Sequence, residues 1–258
     1  MENAKFLSPH DWDKFSAYIL EQNRYILNRK WERFIETVLL TAKKRERYLN
    51  EGMKLYRARI GAVYPKDQEY PYPEPLSPSE IKAPPKDKAV GGRVNPVGMS
   101  YLYLASNIDT AIAEIRPWLD ADVTVGEFLL IKNILVVDVS QDRKFSKEVT
   151  VTSKEPVEPW EQPSEEWESY GWRDINKSFS EPVRVGEEYR NYIPTQYLAE
   201  CFKKAGYEGI VYKSAFREDG YNVVLFEPES ACLVESSRRL CYVKFIKYKY
   251  EELPIGKL

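Results

Sequence analysis

Six residues have the types and the order to do chemistry together: Arg57, Arg59, Arg93, Tyr103, Glu114 and Ser214. Guanidinium forks match phosphate oxygens with paired hydrogen bonds, so the three cations, helped by backbone amides, suit a pyrophosphate. A tyrosine ring suits a flat heterocycle. A carboxylate suits a sugar that develops positive charge as a bond to it breaks. None of the six lies in a self-sufficient motif, because the spacing excludes a Walker loop, a GxGxxG fingerprint, a zinc helix and a Gly-x-Ser-x-Gly elbow. Structural ion pairs are commoner than active sites, so the residues alone favour a non-catalytic binding module over an enzyme.

The elements that must position these residues can be read along the chain. MKLYRARI (residues 53–60) alternates as a strand, which puts Arg57 and Arg59 on one face. Arg93-Val94-Asn95 closes a further strand, Pro96-Val97-Gly98 turns the chain, and residues 100–105 return as a strand with Tyr101 and Tyr103 on one side. Ser106 or Asn107 then caps a helix over residues 109–115, stopped by Pro117, with Glu114 beside Ala111 and Ile115.

Ser8-Pro9-His10-Asp11 predicts a helix start. Trp12, Phe15 and Ile19, then Trp31, Phe34, Ile35, Val38 and Leu39, recur at three- and four-residue steps. They predict two helices, or one interrupted near Asn28, ending by about Gly52: an N-terminal helical extension (1–52) laid against a main domain (53–258), with scope for a homodimer contact. Residues 65–85 are Pro-rich and predict a long loop, a lid or a surface insertion. Residues 147–186, rich in Glu, Pro and Trp, predict an inserted irregular segment pinned by Trp160, Trp167 and Trp172.

Further strands are expected over residues 123–130, 135–139, 209–212, 221–226 and 241–250, and a helix over 196–204 with Gly206 at its end. Helices inserted among so many strands predict an α+β fold rather than a doubly wound parallel sheet.

Composition narrows the function classes. At 258 residues the chain can bury a core without metal or disulfide staples. Lys plus Arg (38) and Asp plus Glu (40) nearly cancel to a net charge of -2, which argues against a nucleic-acid polymer as partner. Three unpaired cysteines (Cys201, Cys232, Cys241) and a single histidine, His10, argue against a metal site and against histidine catalysis. No stretch approaches the roughly 20 apolar residues of a membrane span, and no signal peptide is visible, so a soluble cytoplasmic protein is expected.

Four ordered blocks resemble the RES domain family, named for its Arg, Glu and Ser. They are LYRAR (55–59), GGRVNPVGMSYLYLA followed by DTAIAEIRP (91–105 and 109–117), YIPTQYLAE (192–200), and GYEGIVYKS with NVVLF (206–214 and 222–226). The family arginine, glutamate and serine fall on Arg57, Glu114 and Ser214; Arg93 and Tyr103 match further family positions, and Arg59 is added from its place on the strand. The helical N-terminus and the 147–186 segment are additional to the compact family core.

The resemblance implies an ADP-ribosyltransferase-like mixed or antiparallel β core with flanking helices. It also implies an enzyme that consumes NAD+ as substrate, needs no cofactor and cleaves the nicotinamide–ribose bond as a glycohydrolase or phosphorylase. A bacterial toxin or defence effector restrained by an antitoxin protein is the implied setting, and protein mono-ADP-ribosylation is the implied alternative. On this reading Glu114, Arg57 and Ser214 are catalytic, and Arg59, Arg93 and Tyr103 bind substrate.

Overall fold

The computed structural model describes residues 5–66, 72–141, 165–183, 188–247 and 250. The chain begins with α1 (Asp11–Glu21) and α2 (Arg29–Ala42), followed by β1 (Glu46–Leu49). Asn28 ends the break between the helices, its side chain accepting from the Trp31 amide at 3.2 Å. Helix α1 starts at Asp11, later than the Ser8-Pro9 signature suggests. The reason is local: the Asp11 carboxylate folds back to accept from the Leu7 and Ser8 amides, tying down the turn that would have been the first of the helix. The predicted all-helical N-terminus also ends in a strand, since residues 46–49 pair with the main sheet.

Next come β2 (Lys54–Ile60), a two-stranded ribbon of β3 (Ala62–Val63) and β4 (Glu74–Pro75), and the single turn α3 (Pro78–Ile81). The expected Pro-rich loop therefore holds a strand and a helical turn. Ser77 and Glu80 form a capping box that starts α3, Pro78 sits where a helix tolerates it, and Ile81 is fully buried under the sheet.

The expected strand at residues 93–95 does not form. The buried Asn95 amide instead donates to the carbonyls of Val90, Pro96 and Met99 at 2.8–3.1 Å, knotting the segment into a loop. Then follow β5 (Leu102–Ala105), α4 (Ile108–Glu114), β6 (Asp122–Leu130) and β7 (Ile134–Asp138).

Residues 165–180, expected to be irregular, form the 16-residue helix α5 (Glu165–Ser180). Its Trp172, Ile175 and Phe179 are buried at three- and four-residue spacing, and that burial is what makes the stretch helical. Residues 142–164, including Trp160, and 184–187 lie outside the described residues. The chain finishes with α6 (Glu188–Asn191), α7 (Ile193–Lys204), β8 (Gly209–Lys213), β9 (Tyr221–Leu225), β10 (Ala231–Leu233) and β11 (Arg239–Tyr242). The last strand is shorter than expected: residues 243–247 are not in the sheet.

Among the described residues the main sheet has nine strands in the order β1-β7-β8-β9-β5-β2-β6-β10, with β11 also pairing β6. Among the described residues only β7 and β8 run parallel; every other pairing in it is antiparallel, so the fold is α+β with a mixed, mostly antiparallel sheet. One face carries α1, α2, α5 and α7 over Val137, Ile210 and Val224; the alternate residues Val136, Val211 and Val223 belong to a second core on the other face. Between β5 and β2 the ladder reduces to one residue pair, Tyr56 with Ala105, whereas β2 and β6 match over seven residues. Helix α4 packs across this seam on β2, β5 and β6. The small side chains Ala58, Ala105 and Ala111 let it lie close.

Candidate active site

A cavity of about 400 Å³ opens at the seam. From β2 come Tyr56 and Arg57; from the loop before β5, Gly92 and Arg93; from β5, Tyr103; from α4, Glu114; from β8 and β9, Tyr212 and Asn222. Four of the six residues singled out from sequence, Arg57, Arg93, Tyr103 and Glu114, therefore line one cavity. Ser214 does not line it but reaches it through Glu114, and Arg59 is elsewhere.

Glu114 ends α4, a seven-residue helix capped by Asn107, whose side chain accepts from the Thr110 amide at 2.8 Å. Its Oε1 accepts two hydrogen bonds, from Ser214 Oγ and from Asn222 Nδ2, both at 2.7 Å. Ser214 follows β8 and is 9% exposed; its Oγ also accepts from the Phe216 amide at 3.2 Å, which holds the hydroxyl in place. No cation pairs with Glu114 among the described residues.

Arg57 is the opposite charge in the same cavity, and among the described residues it has no carboxylate partner. Its Nη1 donates to the Tyr103 carbonyl at 3.2 Å, across the seam where the β2–β5 ladder has lapsed, and its buried Nε has no partner. Burial, and after it the neighbouring charge of Arg59, lowers its pKa to about 10, with Tyr103 opposing. Arg59, two residues on, donates from Nη1 to the Glu80 carbonyl of α3 and leaves the cavity. The strand alternation does put both arginines on one side of β2, opposite Gly126 and Thr124; they diverge because the Glu80 carbonyl takes up only the second.

Arg93 donates to the carbonyls of Ser178 and Glu181 at the end of α5, and its Cζ lies 5.4 Å from the Tyr192 ring centre and 6.0 Å from that of Tyr212. Tyr103 presents its ring while its hydroxyl is engaged, donating to Asn95 Oδ1 at 2.6 Å and accepting from the Val94 amide at 3.0 Å. Burial pushes the Tyr103 and Tyr212 phenols well above their ordinary range, so both stay neutral. Gly92 has to be glycine: a Cβ there would fall 2.7 Å from both Asn95 Oδ1 and the Tyr103 hydroxyl. At the rim, Arg116 adopts a φ of 45°, rare for a side-chain-bearing residue, and its Cζ lies 4.9 Å from the Phe216 ring centre.

Sequence reasoning missed Asn222, Tyr192, Tyr212 and Arg116. Of these Asn222 carried a signal: it is the one polar residue heading the apolar strand NVVLF. Among the described residues no group of three or more His, Cys, Asp or Glu gathers as a metal site requires, and no helix is long and apolar enough to cross a membrane.

A cavity set in a mostly antiparallel sheet, with an arginine and a glutamate lining it from separate elements and a serine bonded to the glutamate, defines a class of protein. The chain belongs to the RES domain family, whose model matches residues 54–244. No curated protein matches it. Three chains of solved structures do, among them one from the crystal structure of the M. tuberculosis MbcT-MbcA toxin-antitoxin complex. That chain is 12% identical, with 80% of this chain and 91% of that one covered at a TM-score of 0.40.

Proposed function

We propose that this protein cleaves the nicotinamide–ribose bond of NAD+. The observation that carries the reading is the separation of charge in the cavity: a half-buried Arg57 and a Glu114 carboxylate, neither with a counter-ion among the described residues, line one space large enough for a ligand. Opposite charges free to pair would cancel each other; held apart, they suit a molecule with an anionic part and a part that becomes cationic. NAD+, the substrate implied by the RES resemblance, has both.

In the reaction the C1′–N bond breaks and its electron pair leaves with the nicotinamide nitrogen, which becomes neutral. An oxygen of water or of phosphate forms the new bond to C1′, and its proton passes to solvent. Glu114 stabilises the oxocarbenium-like centre or holds the ribose hydroxyls. Arg57, with Arg93, grips the pyrophosphate; the Tyr103 ring stacks on nicotinamide. Ser214 acts through Glu114. Since the leaving group is already cationic, no strong general acid is needed, in keeping with a chain whose single histidine is at position 10.

The test is nicotinamide release from NAD+ by purified protein, with and without phosphate. Release by the wild type and a loss on the order of 10²–10³-fold in Glu114→Gln are expected. Dependence on phosphate identifies phosphorolysis. Label transferred from NAD+ to a macromolecule, with no free product, identifies protein ADP-ribosylation instead. Absence of release under every condition overturns the reading. As a toxin restrained by a partner protein, the chain should slow growth when expressed alone, and Glu114→Gln should relieve it; equal growth removes the toxin setting.

A further inference from the structure

The two oxygens of Glu114 are not equivalent. Ser214 Oγ and Asn222 Nδ2 both donate to Oε1, and Oε2 accepts from none of the described residues. We infer that Asn222 is a positioning residue for Glu114, and that its donor, together with Ser214, aims Oε2 at the ribose. The inference rests on the reading of the cavity as an NAD+ site and adds to it a residue outside the Arg, Glu and Ser of the family name.

Asn222 has the placement for this. It is the second residue of β9, is 5% exposed, and stands in register with Tyr212 of β8 on one side and Ala105 of β5 on the other, so its backbone is held in the sheet from both directions. One donor would leave the carboxylate free to swing about a single hydrogen bond. Two donors arriving from different segments fix Oε1, and the end of α4 fixes the other end of the side chain. An amide is also the right chemistry. A cation at this distance would neutralise the charge that the reaction needs, and a carboxylate would repel Glu114. A neutral donor holds the group and leaves its charge available.

The test uses the full chain with Asn222→Ala and Asn222→Asp, the second keeping the shape of the side chain and removing the donor, so that one variant serves if the other fails to fold. Misplacing a reacting group by about 1 Å costs on the order of 10²-fold, so kcat for NAD+ should fall by that order with KM little changed. In a Glu114→Gln background, Asn222→Ala should add no further loss, because its effect passes through the carboxylate. A wild-type kcat in both variants, a rise in KM alone, or additive losses would each overturn the role. Crystal structures of the variants decide independently of turnover: Glu114 should leave its wild-type rotamer, and an unmoved carboxylate sinks the inference. A wild type inert toward NAD+ together with a displaced Glu114 in the variants rejects the substrate and keeps the positioning.

Discussion

Arg57 sets the energetics of the site at the level of single residues. A buried guanidinium without a carboxylate is destabilising, and its pKa of about 10 expresses that. At pH 7 the group is charged in both folded and unfolded chains, so the folded state bears the full penalty. An anion bound at Arg57 should relieve the penalty at neutral pH. ADP-ribose near 100 times its Kd should therefore stabilise the wild type by about 2.7 kcal/mol. That is a rise in Tm of roughly 5 to 10 °C for a chain of this size. Arg57→Met should melt no lower than the unliganded wild type and should show no such rise; an equal rise in both would place the anion elsewhere. The charge and type of this residue were legible from LYRAR, but its isolation was not. Nothing in the spacing of Arg57 and Arg59 says that α3 takes up only the second.

Helix α4 delivers Glu114, and seven residues are too few to be helical without tertiary support. Its support includes a close approach by the chain entering β9. A Cβ on Gly220 would lie 2.2 Å from Thr110 Oγ1 and 2.9 Å from its Cγ2. Thr110 is fully buried and short, so it cannot swing away, and it lies one turn before Glu114 on the same helix face. Gly220→Ala should push α4 outward and draw Glu114 from Ser214 and Asn222. Steady-state assays should show turnover falling at least tenfold with circular dichroism unchanged; full turnover would show that the helix has slack. This element was readable from sequence because a cap, Asn107, and a stop, Pro117, bracket it. Helix α5 was obscured by the Pro- and Glu-rich residues just before it, although Trp172, Ile175 and Phe179 already have helical spacing. β1 was lost because four residues are too few to show alternation beside a longer helical pattern.

For the whole molecule, the N-terminal helices form part of the main core. Trp12, Phe15, Trp31, Phe34 and Val38 share one cluster with Ile210 and Val224 of the sheet and with Phe226 just after β9. The indole of Trp12 donates to Ser178, and that of Trp172 to Thr41, binding α1 and α2 to α5. A chain starting at Met53 would uncover this face and also lose β1 from the sheet edge. It should be insoluble, or expanded with lost near-UV circular dichroism; a monomeric truncation melting within a few degrees of the full chain would contradict this. The fold class followed from the strand count. The sharing of one core by the family sheet and the added helices did not, because periodicity shows which face is apolar and not what covers it.

The single Tyr56–Ala105 pair between β2 and β5 has a mechanical consequence. Two stiff plates, each woven by long ladders, meet at one stitch, and α4 lies over the joint. The Arg57 backbone belongs to one plate, while the Glu114 carboxylate is fastened to β9 and to the residue after β8 on the other. A molecule gripped by both is a strut across the joint, and the angle between the plates sets the distance between its two grips. A change in that angle would alter the distance at the expense of one ladder pair and the Arg57–Tyr103 hydrogen bond.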